Sequence, residues 1–197
     1  SKEDARNKLN IPASEKVIVS IGRLVKAKGF DLIVDALPEV IKRTGFENIR
    51  LYIIGTPDLG DDFTGELKRR IEKLKLVGNV VFQGGVPNQE LVNWYNAADV
   101  FCLASRGEGS PNVLTEALAC GCPAVAADVG AVSDIIGTAP EAAICVPKES
   151  VSGLESGLTE ILLKEHDRAK NSKQYSRYNW DWCAEKVFNI YLSALKS

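Results

Sequence analysis

One stretch of the chain gathers two carboxylates, a cation and a helix start: Ser105-Arg106-Gly107-Glu108-Gly109-Ser110-Pro111-Asn112-Val113-Leu114-Thr115-Glu116-Ala117. Ser110 followed by Pro111 suits an N-cap and first-turn pair, so a helix is expected from Pro111. Its first-turn N–H groups lack partners and its dipole end is positive, which makes an anion site. Pro111 has no N–H, which leaves Asn112 and Val113 as the free donors. Glu116 follows one turn after Asn112 on the same face. A carboxylate there can accept two hydrogen bonds from vicinal hydroxyls such as those of a ribose. Glu108 sits ahead of the helix between Gly107 and Gly109, which let the backbone come close to a ligand. Two hydroxyl acceptors around one anion site suit a sugar linked to a nucleotide through phosphates. A capped helix with two solvated acids is the plainer alternative.

A second stretch is cationic: Gly22-Arg23-Leu24-Val25-Lys26-Ala27-Lys28-Gly29-Phe30-Asp31. Arg23 and Lys28 beside a helix start can neutralise a diphosphate. A solvated charged loop would look the same. Neither the Gly-x-Gly-x-x-Gly dinucleotide fingerprint nor a P-loop occurs anywhere in the chain, which argues against an NAD-binding domain. A third stretch, Gln83-Gly84-Gly85-Val86-Pro87, frees backbone groups to approach a flat group such as a base. It is also ordinary turn chemistry before a helix opened by proline.

These stretches need elements to hold them. Apolar, β-branched runs predict strands at Val17–Gly22, Leu51–Gly55, Val80–Phe82, Val100–Leu103, Ala124–Ala126 and Ala143–Val146. They do not alternate with polar residues, as expected of strands covered on both faces. Helical stripes lie between them: Leu32, Ile33, Ala36, Leu37, Val40 and Ile41; Leu67, Ile71, Leu74 and Leu76; Leu91, Trp94, Tyr95 and Ala98; Val113, Leu114, Ala117 and Leu118. Further helices are predicted over 152–164 and 182–195. Strand–helix alternation gives an α/β fold, a Rossmann-like three-layer α/β/α arrangement on a parallel sheet. Ligands of such sheets sit beyond the carboxyl ends of the strands, and all three stretches follow a strand. With no linker or repeat, residues 1–197 are expected to form a single domain.

The composition narrows the function. The chain has 197 residues, 24 basic and 26 acidic side chains and a net charge of −2. That balance argues against a nucleic-acid partner, which calls for a basic excess. No window approaches the about 20 apolar residues of a membrane span. The polar start Ser1-Lys2-Glu3-Asp4 does not resemble a signal peptide. Five cysteines, Cys102, Cys120, Cys122, Cys145 and Cys183, show no C-x-x-C spacing and lie mostly in apolar runs. They are expected as small reduced hydrophobes, which points to a cytoplasmic location. One histidine, His166, lies in a polar segment and is expected to be a solvated helix-end residue. No His-based metal site or triad is expected, so no metal and no cofactor. Trp94 and Tyr95 are expected in the core, and Trp180 and Trp182 to pack the last helix down. The chain has no methionine, which leads us to expect a piece of a longer protein.

Four stretches together resemble the donor-binding, C-terminal domain of GT-B glycosyltransferases of the large retaining family 4. They are Gly22-Arg23-Leu24 with Lys28-Gly29, Val81-Phe82-Gln83-Gly84, Tyr95-Asn96-Ala97-Ala98-Asp99-Val100, and Glu108-Gly109 through Glu116-Ala117 to Gly121-Cys122-Pro123. The resemblance runs from about residue 15 to the end. The region around Glu108 resembles the bacterial surface-polysaccharide, teichuronic-acid-type branch. The resemblance implies that Arg23 and Lys28 hold the donor diphosphate and stabilise the departing nucleoside diphosphate. It places Glu116 at the ribose and Glu108 at the donor sugar. It implies a backbone cradle at Gly109, Ser110, Asn112 and Val113, base contacts at Gly84 and Val86, and donor-binding backbone at Gly22. Asp134 stands where the family often has Glu, and no role is assigned to it.

The implied activity is hexosyl transfer with retained configuration from a nucleoside diphosphate sugar, UDP favoured and GDP next, to a glycan or lipid-linked acceptor. The family's acceptor-binding N-terminal domain, toward which the last helix normally crosses back, has no counterpart here. A donor-binding half, inactive alone, is therefore expected, with peripheral membrane association possible only through the whole protein. Rival readings are a non-catalytic nucleotide-sugar-binding or interaction domain, and a nucleotide-sugar 2-epimerase-like enzyme.

Overall fold

The computed structural model describes residues 1–137, 141–175 and 180–194, without the side chains of Trp180 and Cys183. Each expected apolar run forms a strand: β1 (Lys16–Ile21), β2 (Ile49–Ile54), β3 (Val80–Gly84), β4 (Val100–Leu103), β5 (Ala124–Ala127) and β6 (Ala143–Val146). They pair in parallel in the order β3-β2-β1-β4-β5-β6.

Helices cover both faces, so the expected three-layer α/β/α arrangement is what forms. On one face α2 (Phe30–Thr44), α3 (Thr64–Lys73) and α7 (Val151–Leu163) pack over Ile18, Leu51, Ile53, Val100 and Cys102. On the other, α1 (Lys2–Leu9), α4 (Asn88–Ala97), α5 (Asn112–Ala119), α6 (Val132–Gly137) and α8 (Arg168–Tyr175) pack over Val17, Val19, Phe101, Leu103 and Ala126. Neighbours along each strand point to opposite faces, so an unbroken apolar run feeds both cores at once.

Helices α1, α6 and α8 were not expected. The first and last of these carry almost no apolar stripe: α1 buries only Ala5 and Arg6, and α8 only Asn171 and Tyr175. Polar contacts hold α1 instead. Ser1 and Asp4 close a capping box. The buried Arg6 guanidinium donates to the Ala97 carbonyl at 3.0 Å and to Asp99 Oδ2 at 2.8 Å. Asp99 also accepts from Lys2 Nζ and from the Val17 N–H, each at 2.7 Å. This acid of the Tyr95–Val100 stretch therefore ties α1 to the amino edge of the sheet.

The last helix, α9 (Trp180–Ala194), differs from expectation. Trp182 is exposed, its ring under Lys186 Nζ at 5.7 Å, and Phe188, Ile190 and Tyr191 are exposed by 61%, 69% and 67%. Among the described residues, none of α9 belongs to either core cluster. The expectation for Trp180 and Cys183 falls on side chains outside the description. Cys102 and Cys122 are buried hydrophobes as expected, and burial pushes the Cys122 thiol up to about 12. Cys145 is exposed, because β6 is the sheet's edge. His166 is half-buried rather than solvated, with Nε2 3.0 Å from the Ile161 carbonyl.

Gly29 sets how closely the loop after β1 approaches the end of β4. Its φ is +67°, and a Cβ there would lie 1.9 Å from the Ala104 carbonyl oxygen. Gly45, at φ +69°, has nothing within 4 Å of the same position. Gly45→Ala is expected to cost about 1–2 kcal/mol, the left-handed penalty alone. Gly29→Ala should cost at least about 2 kcal/mol more, a further fall of about 4–8 °C in Tm. Thermal unfolding of both variants checks this; equal losses would mean that the contact with Ala104 is not made.

Candidate functional site

Strands β1 and β4 are neighbours, yet the chain leaves β1 for the α2 face and β4 for the α5 face. A crevice opens outside their carboxyl ends, where open parallel sheets hold ligands. Lys28 enters it from the loop after β1 and Glu108 from the loop after β4. Lys28 Nζ lies 2.7 Å from Glu108 Oε1, with the two side chains 23% and 13% exposed. Ser105 Oγ donates to the same oxygen at 2.6 Å. The Lys28 stem crosses Gly22, where a Cβ would lie 3.3 Å from Lys28 Cγ and Cδ. In this half-buried place the pair is screened less than one on open surface.

Arg23 is not brought to that pair. Its guanidinium turns to Asp58, on the loop between β2 and α3, and both side chains are well exposed. An exposed pair is worth at most about 1 kcal/mol, so little holds Arg23 there.

The expected helix start needs correction by one residue. Pro111 is the N-cap, in an extended conformation (φ −76°, ψ 98°), and α5 begins at Asn112 with no side-chain cap. With Pro111 outside the helix, Ser110 stands one position too early to serve as the cap. The first N–H of the helix to reach a backbone acceptor is that of Leu114, 3.0 Å from the Pro111 carbonyl. The N–H groups of Asn112 and Val113 come before it, at an uncapped helix start on the carboxyl edge, where an anion is favoured.

Glu116 is on the outer surface of α5, and its Oε2 accepts from the Tyr95 hydroxyl at 2.7 Å. Tyr95 comes from α4 and is only 2% exposed. Burial, then the Glu116 hydrogen bond, pushes its phenol well above the ordinary tyrosine range. The turn that carries Glu108 is backed by the loop after β5. The Ala131 N–H donates to the Gly109 carbonyl at 2.9 Å. Gly130 lies so close that a Cβ would sit 2.2 Å from the Glu108 carbonyl oxygen. Asp134, nearby in α6, is exposed. Farther along the edge, Gly84 ends β3 at φ +78° and its carbonyl accepts from the Gly55 N–H at 2.9 Å. Val86 packs against the core beside it.

Tyr95, Ser105 and Gly130 were missed as site residues. Only Tyr95 left a signal, a hydroxyl on a buried helical position, which calls for a partner. A cavity of about 350 Å³ at the amino edge, lined by Lys2, Asp99, His166 and Arg168 among others, is remote from these loops. Of its cations, Lys2 is engaged by Asp99 and Arg168 by the Ala98 and Tyr95 carbonyls, each at 2.7 Å. Among the described residues, no three His, Cys, Asp or Glu side chains gather as metal ligands. No described helix is long and apolar enough to cross a membrane.

Residues 1–179 match the family model of the glycosyl transferases group 1. A D-inositol 3-phosphate glycosyltransferase of Corynebacterium urealyticum is 31% identical over 97% of this chain and 46% of its own length. The chain spans about half the length of the curated relatives it matches. Among solved structures, sucrose-phosphate synthase of Thermosynechococcus elongatus superposes with a TM-score of 0.78 at 25% identity, covering 98% of this chain and 49% of that one. HepE of Anabaena, solved in complex with UDP and glucose, superposes with a TM-score of 0.67 at 22% identity, covering 89% and 45%.

The Tyr95 contact gives a pH prediction. A phenol with a raised folded pKa holds its proton while the unfolded chain loses one above about pH 10, so folding stability falls as pH rises past that value. Urea unfolding between about pH 9 and pH 11 is expected to show this fall, less steep in Tyr95→Phe. An equally steep fall in the variant would mean that the Tyr95 hydroxyl is not buried against Glu116.

Proposed function

As this chain belongs to the glycosyl transferases group 1 family, we propose that it is the donor-binding unit of a retaining glycosyltransferase that takes a hexosyl group from a nucleoside diphosphate sugar. The observation that carries this reading is the crevice between β1 and β4, where Lys28, Glu108 and an uncapped helix start converge. The diphosphate takes Lys28 and the Asn112 and Val113 N–H groups, with Gly109 and Ser110 alongside. Arg23 leaves Asp58 to join it. Glu116, held on one oxygen by Tyr95, offers the other to the ribose. Glu108 takes a hydroxyl of the donor sugar. The Gly84 and Val86 backbone faces the base, and Gly22 leaves room for the Lys28 stem.

Catalysis on this reading is stabilisation of the leaving nucleoside diphosphate. The cation and the N–H dipoles are fixed before the charge develops, so little reorganisation is needed as the bond breaks. UDP is the favoured nucleotide, supported by the UDP held by HepE, with GDP next. The acceptor, a glycan or lipid-linked group as in surface-polysaccharide synthesis, binds a part of the protein outside this chain. Residues 1–197 are then one donor-binding domain of a cytoplasmic enzyme, inactive alone; any peripheral membrane association would run through the rest of the protein.

Thermal shift with UDP, GDP, ADP and NAD tests this. A nucleotide at about 100 times its Kd adds about 2.7 kcal/mol, or about 5–11 °C here. One nucleoside diphosphate is expected to give this shift, and NAD none. Glu116→Ala should weaken its binding about tenfold, as expected for loss of a charge-assisted hydrogen bond. A shift with NAD alone, or an unchanged affinity in Glu116→Ala, would overturn the assignment.

A further inference from the structure

We infer that Arg106 is a positioning residue that fixes the approach of Lys28 to Glu108. The inference rests on the donor-site reading above. Arg106 lies two residues before Glu108 and reaches across the crevice to the segment that carries Lys28. Its backbone N–H donates to the Ala27 carbonyl at 2.8 Å. Nη1 donates to the Lys26 carbonyl at 2.7 Å and to Asp31 Oδ1 at 2.9 Å, and Nη2 donates to Asp31 Oδ2 at 2.8 Å. Nε donates to Glu149 Oε1 at 3.0 Å, on the loop after β6. One guanidinium therefore joins the loops after β1, β4 and β6.

The contact with Asp31 is a two-pronged fork in a place where Asp31 is 7% and Arg106 20% exposed. Such pairs are directional as well as strong, and a lysine could not reproduce the fork. Asp31 sits in the first turn of α2, where an acid could cap its own helix. That helix has no side-chain cap, and both Asp31 oxygens face Arg106.

The fold does not need this clasp to seat α2. Phe30, Ile33 and Leu37 on its inner face are already fully buried. What the clasp adds is a set separation between residues 26–28 and 105–108. Lys28 ends in a point charge on a flexible stem, so its distance from Glu108 depends on how its backbone is held. An error of about 1 Å at a reacting centre can cost about a hundredfold in rate.

Truncating Arg106 leaves Asp31 buried and unpaired, so a loss of stability is expected on any account. The deciding readout is whether Lys28 and Glu108 still sense each other. In the ligand-free chain, the double-mutant cycle of Lys28→Met and Glu108→Gln, measured by urea unfolding, reads their coupling. The coupling is expected to fall to less than about half in Arg106→Ala and in Arg106→Lys. Asp31→Asn serves the same purpose if Arg106→Ala does not fold. Equal coupling in parent and variants overturns the inference.

UDP binding gives the second readout. A loss of about tenfold from Lys28→Met in the parent should shrink below about threefold in the Arg106→Ala background, whereas a merely stabilising Arg106 would leave it unchanged. If UDP, GDP and ADP all fail to bind the parent chain, the donor-site reading falls. The ligand-free cycle still decides whether Arg106 positions the pair.

Discussion

The loops after β1 and β4 can meet only because residue 29 lacks a side chain. The left-handed backbone of Gly29 lies against the Ala104 carbonyl so closely that any Cβ would displace one strand end from the other. The rest of the crevice follows from that approach. It brings Lys28 within 2.7 Å of Glu108 and lets Arg106 reach Asp31 with both prongs. Gly130 repeats the device on the far side, where the loop after β5 backs the Glu108 turn. The chemistry-bearing side chains thus stand on backbone packed against backbone, a rigid base of the kind that a preorganised site calls for.

Charge is arranged in two tiers along this edge. Lys28 and Glu108 are half-buried, with Ser105 also donating to Glu108, whereas Arg23 and Asp58 pair in the open. The inner pair is screened less by water than the outer one, and the outer is worth at most about 1 kcal/mol. On the proposed reading, an incoming diphosphate takes Lys28 and draws Arg23 from Asp58. The uncapped start of α5 adds N–H donors at the carboxyl edge of the sheet.

Much of this was legible in the residues. Runs such as Val100-Phe101-Cys102-Leu103 have one reading once helices alternate with them, and all six runs form strands within a residue or two of the expected limits. Because ligands bind past strand ends, the segments that carry Lys28, Glu108 and Glu116 could be singled out as candidates without a structure, and the structure brings Lys28 and Glu108 together. Contacts between distant segments were not legible. Arg106 and Asp31 are 75 residues apart, and Tyr95 and Glu116 are 21 apart; neither spacing has a local signature. Helices α1 and α8 escaped because ionic and carbonyl contacts hold them where an apolar stripe would normally show. The cap of α5 was misplaced by one residue because Ser-Pro fits two starts, and only the backbone angles of Pro111 separate them.

The account stands on where a nucleotide sits. A crystal structure of this chain with UDP tests that most directly. The account predicts diphosphate oxygens on Lys28 Nζ and on the Asn112 and Val113 N–H groups, the ribose on Glu116, and Asp58 released from Arg23. UDP bound at the amino edge among Lys2, His166 and Arg168, with Lys28 and Glu108 still paired and untouched, would contradict it.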